Sequence, residues 1–315
     1  MSGPAVVMLI AWVAAILGPM GGVLIWRRFR RRPRLAASLL LLPTLVYGLG
    51  VWAFLIEPQL LVVRQVAIAS PAWRGPPLRI GVVSDTHVGE AHVTPQRVRR
   101  TMARLLAERP DLVVFLGDYA GGHLPAAARS AEQREAIQRG VAALAKAQAP
   151  LGRVAVLGNH DWWYDGPAIE AGLRRAGVPV LENTALRISR PAGDFWIAGL
   201  ADLHSDRARP SPDLALREVP ADAPVIVLTH WPDPFAQVPD RVALTLAGHS
   251  HCGQVNLPFV GRPILPSPGS ARWPCGLYAE GGRQLYVTGG VGVSILPVRF
   301  RAPPEIVIVT LSARP

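Results

Sequence analysis

Apolar residues are distributed along this chain in two different ways. Up to about residue 56 they form long unbroken runs, and beyond it short runs closed by glycine, aspartate, asparagine or histidine. Residues 5–26 and 35–56 contain no charged side chain. Each run would make a helix of roughly 33 Å, enough to cross a hydrocarbon core of about 30 Å. Gly18, Pro19 and Pro43 lie inside these runs, and such residues are tolerated in membrane helices. The pattern predicts a transmembrane hairpin over residues 1–56.

After residue 56 the period changes. Residues 57–77 read as a juxtamembrane connector with a strand at 61–68. Strands and helices then alternate. LRIGVVSD (78–85), DLVVFLGD (111–118) and RVAVLGN (153–159) are nearly continuous apolar runs, the mark of strands buried on both faces. Helices are predicted at 94–110, with Thr94 as N-cap and Pro95 in the first turn, at 126–149, where Ser130 marks a cap or bend, and at 167–177, stopped by Gly177. A short strand is expected at 178–183. The remainder is strand-rich: a hairpin over 185–200, then apolar strands at 223–230, 242–249, 284–290 and 305–311. Repeated strand–helix units followed by a strand-rich half predict a layered α/β domain with two sheets, spanning 78–315.

The ends of the apolar runs carry the chemistry. Asp85-Thr86-His87, Gly117-Asp118, Gly158-Asn159-His160-Asp161, Thr229-His230 and Gly248-His249-Ser250-His251 each end at or just past such a run, and they take five of the eight histidines. Ligand sites in α/β sheets form beyond the carboxyl ends of strands. Carboxylate, imidazole and amide oxygen suit Mn, Fe, Zn or similar divalent ions, without the thiolate cage of structural zinc. Two such ions roughly 3.5–4 Å apart can hold an attacking hydroxide and stabilise in-line displacement at phosphorus. Taken singly, each motif has a plainer reading. Asp85 could cap a helix, Gly117-Asp118 is a common turn, Asn159-His160-Asp161 could be an Asx turn, and His230 could be a structural histidine.

In this order, D-x-H, G-D, G-N-H-D, a lone histidine after an apolar run and G-H-S-H closely resemble the calcineurin-like metallophosphoesterases. The resemblance is strong over roughly 78–255 and looser beyond. GHSHCGQ (248–254) and the apolar N-terminus are similar to a bacterial membrane-associated phosphodiesterase branch. The resemblance implies a four-layer α/β/β/α sandwich of two mixed sheets. It implies two divalent metal ions (Mn, Zn, Fe or Mg), one held by Asp85, His87 and His251, the other by Asn159, His230 and His249, with Asp118 bridging them. A metal-bridged hydroxide would attack a phosphodiester in line. His160 would stabilise charge on the phosphate or protonate the leaving oxygen, and Asp161 would orient His160 through its other ring nitrogen. His249 and His251 share one side of an extended segment, so a loop must rotate them to reach different ions. Alternatives are a phosphomonoesterase, a pyrophosphate hydrolase acting on a nucleotide-sugar lipid, or a metal-binding scaffold without turnover.

Charge and cysteine refine the setting. The net charge is +11, but six of those charges lie in RRFRRRPR (27–34), and no Asp or Glu precedes Glu57. The other arginines are scattered, so no nucleic-acid surface is expected. The arginine-rich loop reads as the cytoplasmic turn of the hairpin by the positive-inside rule, which places the catalytic domain in the periplasm or outside the cell. The other readings are an accidental basic loop and a twin-arginine export signal, but no small-x-small cleavage site follows the second apolar run. The anchor suggests a lipid-linked phosphoester as substrate. Cys252 and Cys275 read as small buried residues; an exported domain would also permit a disulfide, and Cys252 could be a thiol near metal. His92, His123 and His204 belong to no motif and take no metal role. Trp162, Trp163 and Tyr164 could line a substrate rim, reach the membrane interface, or simply pack.

Overall fold

The computed structural model describes residues 3–314, with side chains from Val6 onward. The outermost residues of the expected hairpin and catalytic domain lie outside this range. Two long helices, α1 (Gly3–Phe29) and α2 (Pro33–Val51), form the N-terminal hairpin. Arg27 and Arg28 lie in the last turn of α1, where they complement the helix dipole, so the connecting turn is shorter than the arginine run. Pro33 opens α2, a position that needs no amide donor. Tyr47 Oη donates to the Ala15 carbonyl across the pair at 2.6 Å. Val6–Phe29 and Pro33–Gln59 are long and apolar enough to cross a membrane.

The second helix does not end freely. It continues through a π turn (Trp52–Ile56) and a 3-10 turn (Glu57–Gln59) into the globular part. The buried Glu57 carboxylate accepts from Trp52 Nε1 at 2.6 Å and from the Ala302 amide at 2.7 Å. Arg97 donates to the Pro58 carbonyl at 2.6 Å. The connector is built into the domain: β1 (Val62–Ser70) pairs in parallel with β11 (Glu305–Ala313) along its full length.

The first sheet also holds β2 (Leu78–Val83), β3 (Leu112–Phe115) and β4 (Arg153–Ala155), in the order β1-β11-β2-β3-β4. The second comprises β5 (Thr184–Ile188), β6 (Phe195–Gly199), β7 (Val225–Leu228), β8 (Leu244–Ala247), β9 (Gly276–Glu280) and β10 (Arg283–Val287), in the order β5-β6-β7-β8-β10-β9. Both sheets are mixed. Alternate strand residues part company. Val83, Val113, Phe115 and Ala155 join a core under α3 (Pro95–Ala107), α4 (Ala131–Ala145) and α5 (Asn159–Arg175). Ile80, Val82, Leu112, Val114 and Val154 pack instead against Ile226, Leu228, Leu244 and Leu246 of the second sheet. The outer face of that sheet is covered by short pieces, α6 (Pro212–Leu216), a 3-10 turn (Asp233–Gln237) and α7 (Pro268–Arg272). These are the four layers, the last of them thin.

Local chemistry accounts for the differences from the sequence reading. The predicted helix at 126–149 begins only at Ala131, because Ser130 caps it in a reciprocal capping box with Gln133. Residues 178–183 form no strand: Pro179 has no amide donor, and contact with β4 reduces to one bridge, Ala155 to Val180. The helix expected at 167–177 starts instead at Asn159, with non-helical backbone at Asp165 just before Pro167. β9 was not expected; it is an edge strand with alternating exposure.

Candidate metal centre

The strands leading to the motifs, β2, β3 and β4 in one sheet and β7 and β8 in the other, run parallel within each sheet. Their carboxyl ends meet along one margin of the sandwich, and Asp85, Asp118, Asn159, His230 and His249 stand just beyond them. Asp85, His87, Asp118, His249 and His251 all adopt left-handed backbone, with φ between 47° and 64°. That region is uncommon for side-chain-bearing residues and clusters at functional sites. It also supplies the rotation that sends His249 and His251 apart. Two glycines permit the close approach: a Cβ at Gly158 would collide with Asp118 and His230, and one at Gly248 with Ser84 and Asp85.

The side chains converge into three overlapping groups, Asp85 with His87 and His251, His87 with Asp118 and His160, and Asp118 with His230 and His249. Within each group the ligand atoms lie within 4.8 Å of one another. Asp118 is central: its Oδ2 is 3.2 Å from His230 Nε2, 3.5 Å from His87 Nε2 and 4.0 Å from His160 Nε2. On one side His87 and His251 face each other, Nε2 to Nε2, at 3.0 Å, with Asp85 Oδ1 3.5 Å from His251. On the other, His230 Nε2 is 3.2 Å from both Asn159 Oδ1 and His249 Nδ1. Backbone amides brace the carboxylates: His160 N donates to Asp118 Oδ1 at 2.9 Å and His249 N to Asp85 at 3.2 Å. The former places Asp118 at the positive end of α5.

The cluster is almost wholly buried. Burial holds His87, His249 and His251 well below the usual imidazole range, aided by His160, His230 and the Arg299 guanidinium respectively. Burial pushes Asp85 up to about 6. Asp118 goes the other way: desolvation would raise it, but His230, His160 and His87 pull it well below the carboxylate range. His230 is the counterpart. Burial would lower it, yet Asp118, then Asp85 and Asp202, push it up to about 10. Three imidazoles held neutral by burial, crowded with His230 around buried carboxylates, are an arrangement that divalent cations relieve. His87 Nδ1 and His249 Nε2 are buried with no hydrogen-bond partner among the described residues, a cost that a fold built for stability alone avoids. The donor set fits divalent metal.

His160 stands at the edge of this cluster, with Nδ1 3.0 Å from the Gly122 carbonyl and Nε2 3.5 Å from Ser294 Oγ. The expected Asp161–His160 contact does not form. Asp161 is fully buried and turns inward, accepting backbone amides from Asp118 (2.8 Å), Tyr119 (2.8 Å), Ala120 (3.0 Å) and Gly158 (3.0 Å). It ties two motif loops together, and the Gly122 carbonyl takes the place beside His160.

A cavity of about 220 Å³ opens onto the centre, lined by Asp118, Asn159, His160, His249 and His251 and, at its rim, Trp163, Trp231, Ile264 and Ile295. Of the three aromatics after His160, only Trp163 reaches this rim; Trp162 and Tyr164 pack into the helical core. His123 also lines the cavity, stacked on Trp163 at 5.0 Å. Trp231 lies over His249 at 3.4 Å and donates to Asp202 at 2.7 Å. No motif pointed to Ser294, Asp202 or Arg299. Arg299 is completely buried and donates to the Gly289, Gly290 and Ala302 carbonyls beside His251. Cys252 and Cys275, read foremost as small buried residues with a disulfide permitted, form that disulfide, and it fastens the segment after His251.

Residues 78–253 match the calcineurin-like phosphoesterase family. The chain is 32% identical to an uncharacterized metallophosphoesterase, YkuE, of Bacillus subtilis (strain 168), over 73% of this chain and 77% of that protein. It is 30% identical to the phosphodiesterase YaeI of Escherichia coli (strain K12), over 75% and 82%. It is 26% identical to the UDP-2,3-diacylglucosamine pyrophosphatase LpxG of Chlamydia trachomatis serovar D, over 81% and 91%. With the fold and the clustered donors, these matches place the chain in the calcineurin-like phosphoesterase family, as a metal-dependent phosphoester hydrolase.

Proposed function

We propose that this chain is a membrane-anchored phosphodiesterase with a dinuclear metal centre facing the periplasm or the outside of the cell. The observation that carries the reading is the position of Asp118, whose Oδ2 lies between His230 at 3.2 Å and His87 at 3.5 Å. That position supports Asp85, His87 and His251 as one ligand set, Asn159, His230 and His249 as the other, and Asp118 as the bridge. Bound divalent ions would polarise a phosphoryl oxygen and lower the pKa of water. His160 is the general acid. With Nδ1 donating to Gly122, Nε2, beside Asp118 and Ser294 of the cavity lining, is the atom that would take up and release the second proton; burial lowers the affinity of the ring for it and Asp118 opposes that. Positioned proton transfer of this kind contributes roughly 10²–10⁴-fold. Asp161 serves the site by holding the Asp118 loop against the start of α5.

The similarity to YaeI favours a diester. The similarity to LpxG supports a second reading, pyrophosphate hydrolysis on a lipid-linked nucleotide sugar. Anchoring rests on α1 and α2, whose large apolar side chains lie open on many faces; Ile16 is 67% exposed and Leu41 73%. Removal of metal by a chelator is expected to abolish hydrolysis of a soluble aryl phosphodiester. Asp118→Asn is expected to abolish it as well, and His160→Ala to slow it about 10²-fold or more with metal content retained. Turnover that persists in the metal-free protein would overturn the mechanism.

A further inference from the structure

Two exposed apolar loops stand beside the metal centre, and no contact among the described residues covers them. The first runs through Leu257, Phe259, Val260 and Ile264. Phe259 is fully exposed, Val260 is 70% exposed and Ile264 72%. The second carries Ile295, 68% exposed, and Leu296. Single apolar residues on a surface need no explanation, but a contiguous patch does. These loops are held together: Gln254 accepts from the Ser294 amide at 2.6 Å and donates to the Ser294 and Leu296 carbonyls at 3.0 and 3.4 Å. The tip of the first is a closed turn in which Leu257 and Gly261 exchange amide bonds at 2.7 and 2.9 Å. Phe259 sits at that tip with φ 65°, an unfavourable backbone that displays the ring instead of tucking it away.

The patch is continuous with the base of the hairpin. The Asn256 amide donates to Phe300 at 2.9 Å, and the Arg299 amide to Ala53, at the end of the second long helix, also at 2.9 Å. His92 Nε2 lies 3.3 Å from the Pro297 carbonyl, and its Nδ1 2.7 Å from Gln59. Composition agrees. No Asp or Glu occurs between Arg241 and Ala279, or between Gly281 and Pro304, while Arg262 and Arg301 lie in the same stretches. An apolar surface borne on stretches that carry arginine but no acidic residue suits a leaflet containing anionic lipid. Ile264 and Ile295 line the mouth of the metal-centre cavity.

We infer that these loops form a membrane-inserting rim. They enter the leaflet that receives the end of α2, so that the cavity opens at the lipid–water boundary and takes phosphoesters carried on acyl chains. The inference rests on the hydrolase reading above for its substrate and on the loops alone for its geometry.

The test uses the full chain in vesicles containing anionic phospholipid. Phe259→Cys can be labelled selectively with the fluorophore NBD, because the two native cysteines are joined. The label is expected to emit at shorter wavelength, and to be quenched several-fold more by spin-labelled lipid, than the same label at Asp222→Cys, an exposed control position. Equal quenching at the two positions would overturn the inference. So would efficient disulfide crosslinking between two unlabelled copies of the Phe259→Cys variant at high dilution in lipid, which would assign the patch to a second copy. A Phe259→Asp, Val260→Asp variant is expected to hydrolyse a soluble aryl phosphodiester normally and a diacylglycerol-linked phosphodiester about ten-fold more slowly. Equal rates on the lipid substrate, or equal losses on both, would also overturn it. The depth readout needs no turnover. A failed hydrolase reading therefore appears as an inactive protein with a lipid-buried label, and a failed rim as an active protein with the label in water.

Discussion

Asp161 shows how a residue can brace the loops of a candidate site without facing it. Its carboxylate accepts four backbone amides, three from residues 118–120 and one from Gly158. An amide side chain offers one acceptor oxygen where the carboxylate offers two. Each oxygen accepts two of the four, so Asp161→Asn leaves two buried donors unsatisfied, at about 1–3 kcal/mol for each. Its expected signature is a lowered denaturation midpoint together with loss of bound metal. A variant with normal stability and metal content, slowed only in turnover, would instead give Asp161 the His160-orienting role that the motif order implies. The ligand candidates were legible because each is a named residue at the end of an apolar run. The Gly122 carbonyl was not, since a backbone oxygen leaves no mark on residue type, and Ser294 and Arg299 were hidden because each reaches the site alone from a late loop.

Elements were legible where burial on both faces wrote an apolar run, as in β2, β3, β7 and β8, which are buried along all or nearly all of their length. Edges were harder. β9, with one face open, blends into its flanks, and β1, though legible as a strand at 61–68, reads as part of a connector outside the domain. Yet β1 pairs with β11 over its whole length, buries Ile68, and brings Arg64 to Glu305 at 2.6 Å. Glu305 in turn accepts from Thr288 and the Gly289 amide, both at 3.0 Å, just below the metal-centre loops. A soluble fragment beginning at Pro71 would expose the β11 edge, an invitation to intermolecular pairing. It is expected to melt several degrees below a fragment beginning at Glu57 and to elute partly as aggregate in size-exclusion chromatography. Equal melting temperatures would show that the edge strand is dispensable.

At the scale of the whole molecule, charge, cysteine and fold bear on one question, which side of a membrane the centre would face under the proposed anchoring. Three arginines form the tight turn between the helices, two more close α1, and one opens α2, with no acidic residue before Glu57. That asymmetry favours a cytoplasmic turn and an outward-facing domain. The Cys252–Cys275 disulfide agrees, since such bonds persist in oxidising compartments and are rare in the cytosol. Cys252 adjoins His251, so the bond also fastens one candidate ligand. In intact cells a membrane-impermeant maleimide is expected to leave both cysteines unlabelled until an impermeant reductant is added, and to label them afterwards. Reduction of the purified protein is expected to weaken metal retention at the Asp85–His87–His251 set first, read as earlier loss of one ion from a fully loaded protein during dialysis. Cysteines that react only after the membrane is permeabilised would put the domain in the cytoplasm and reverse the proposed topology, moving the accessible substrates to the inner leaflet while leaving the metal chemistry intact.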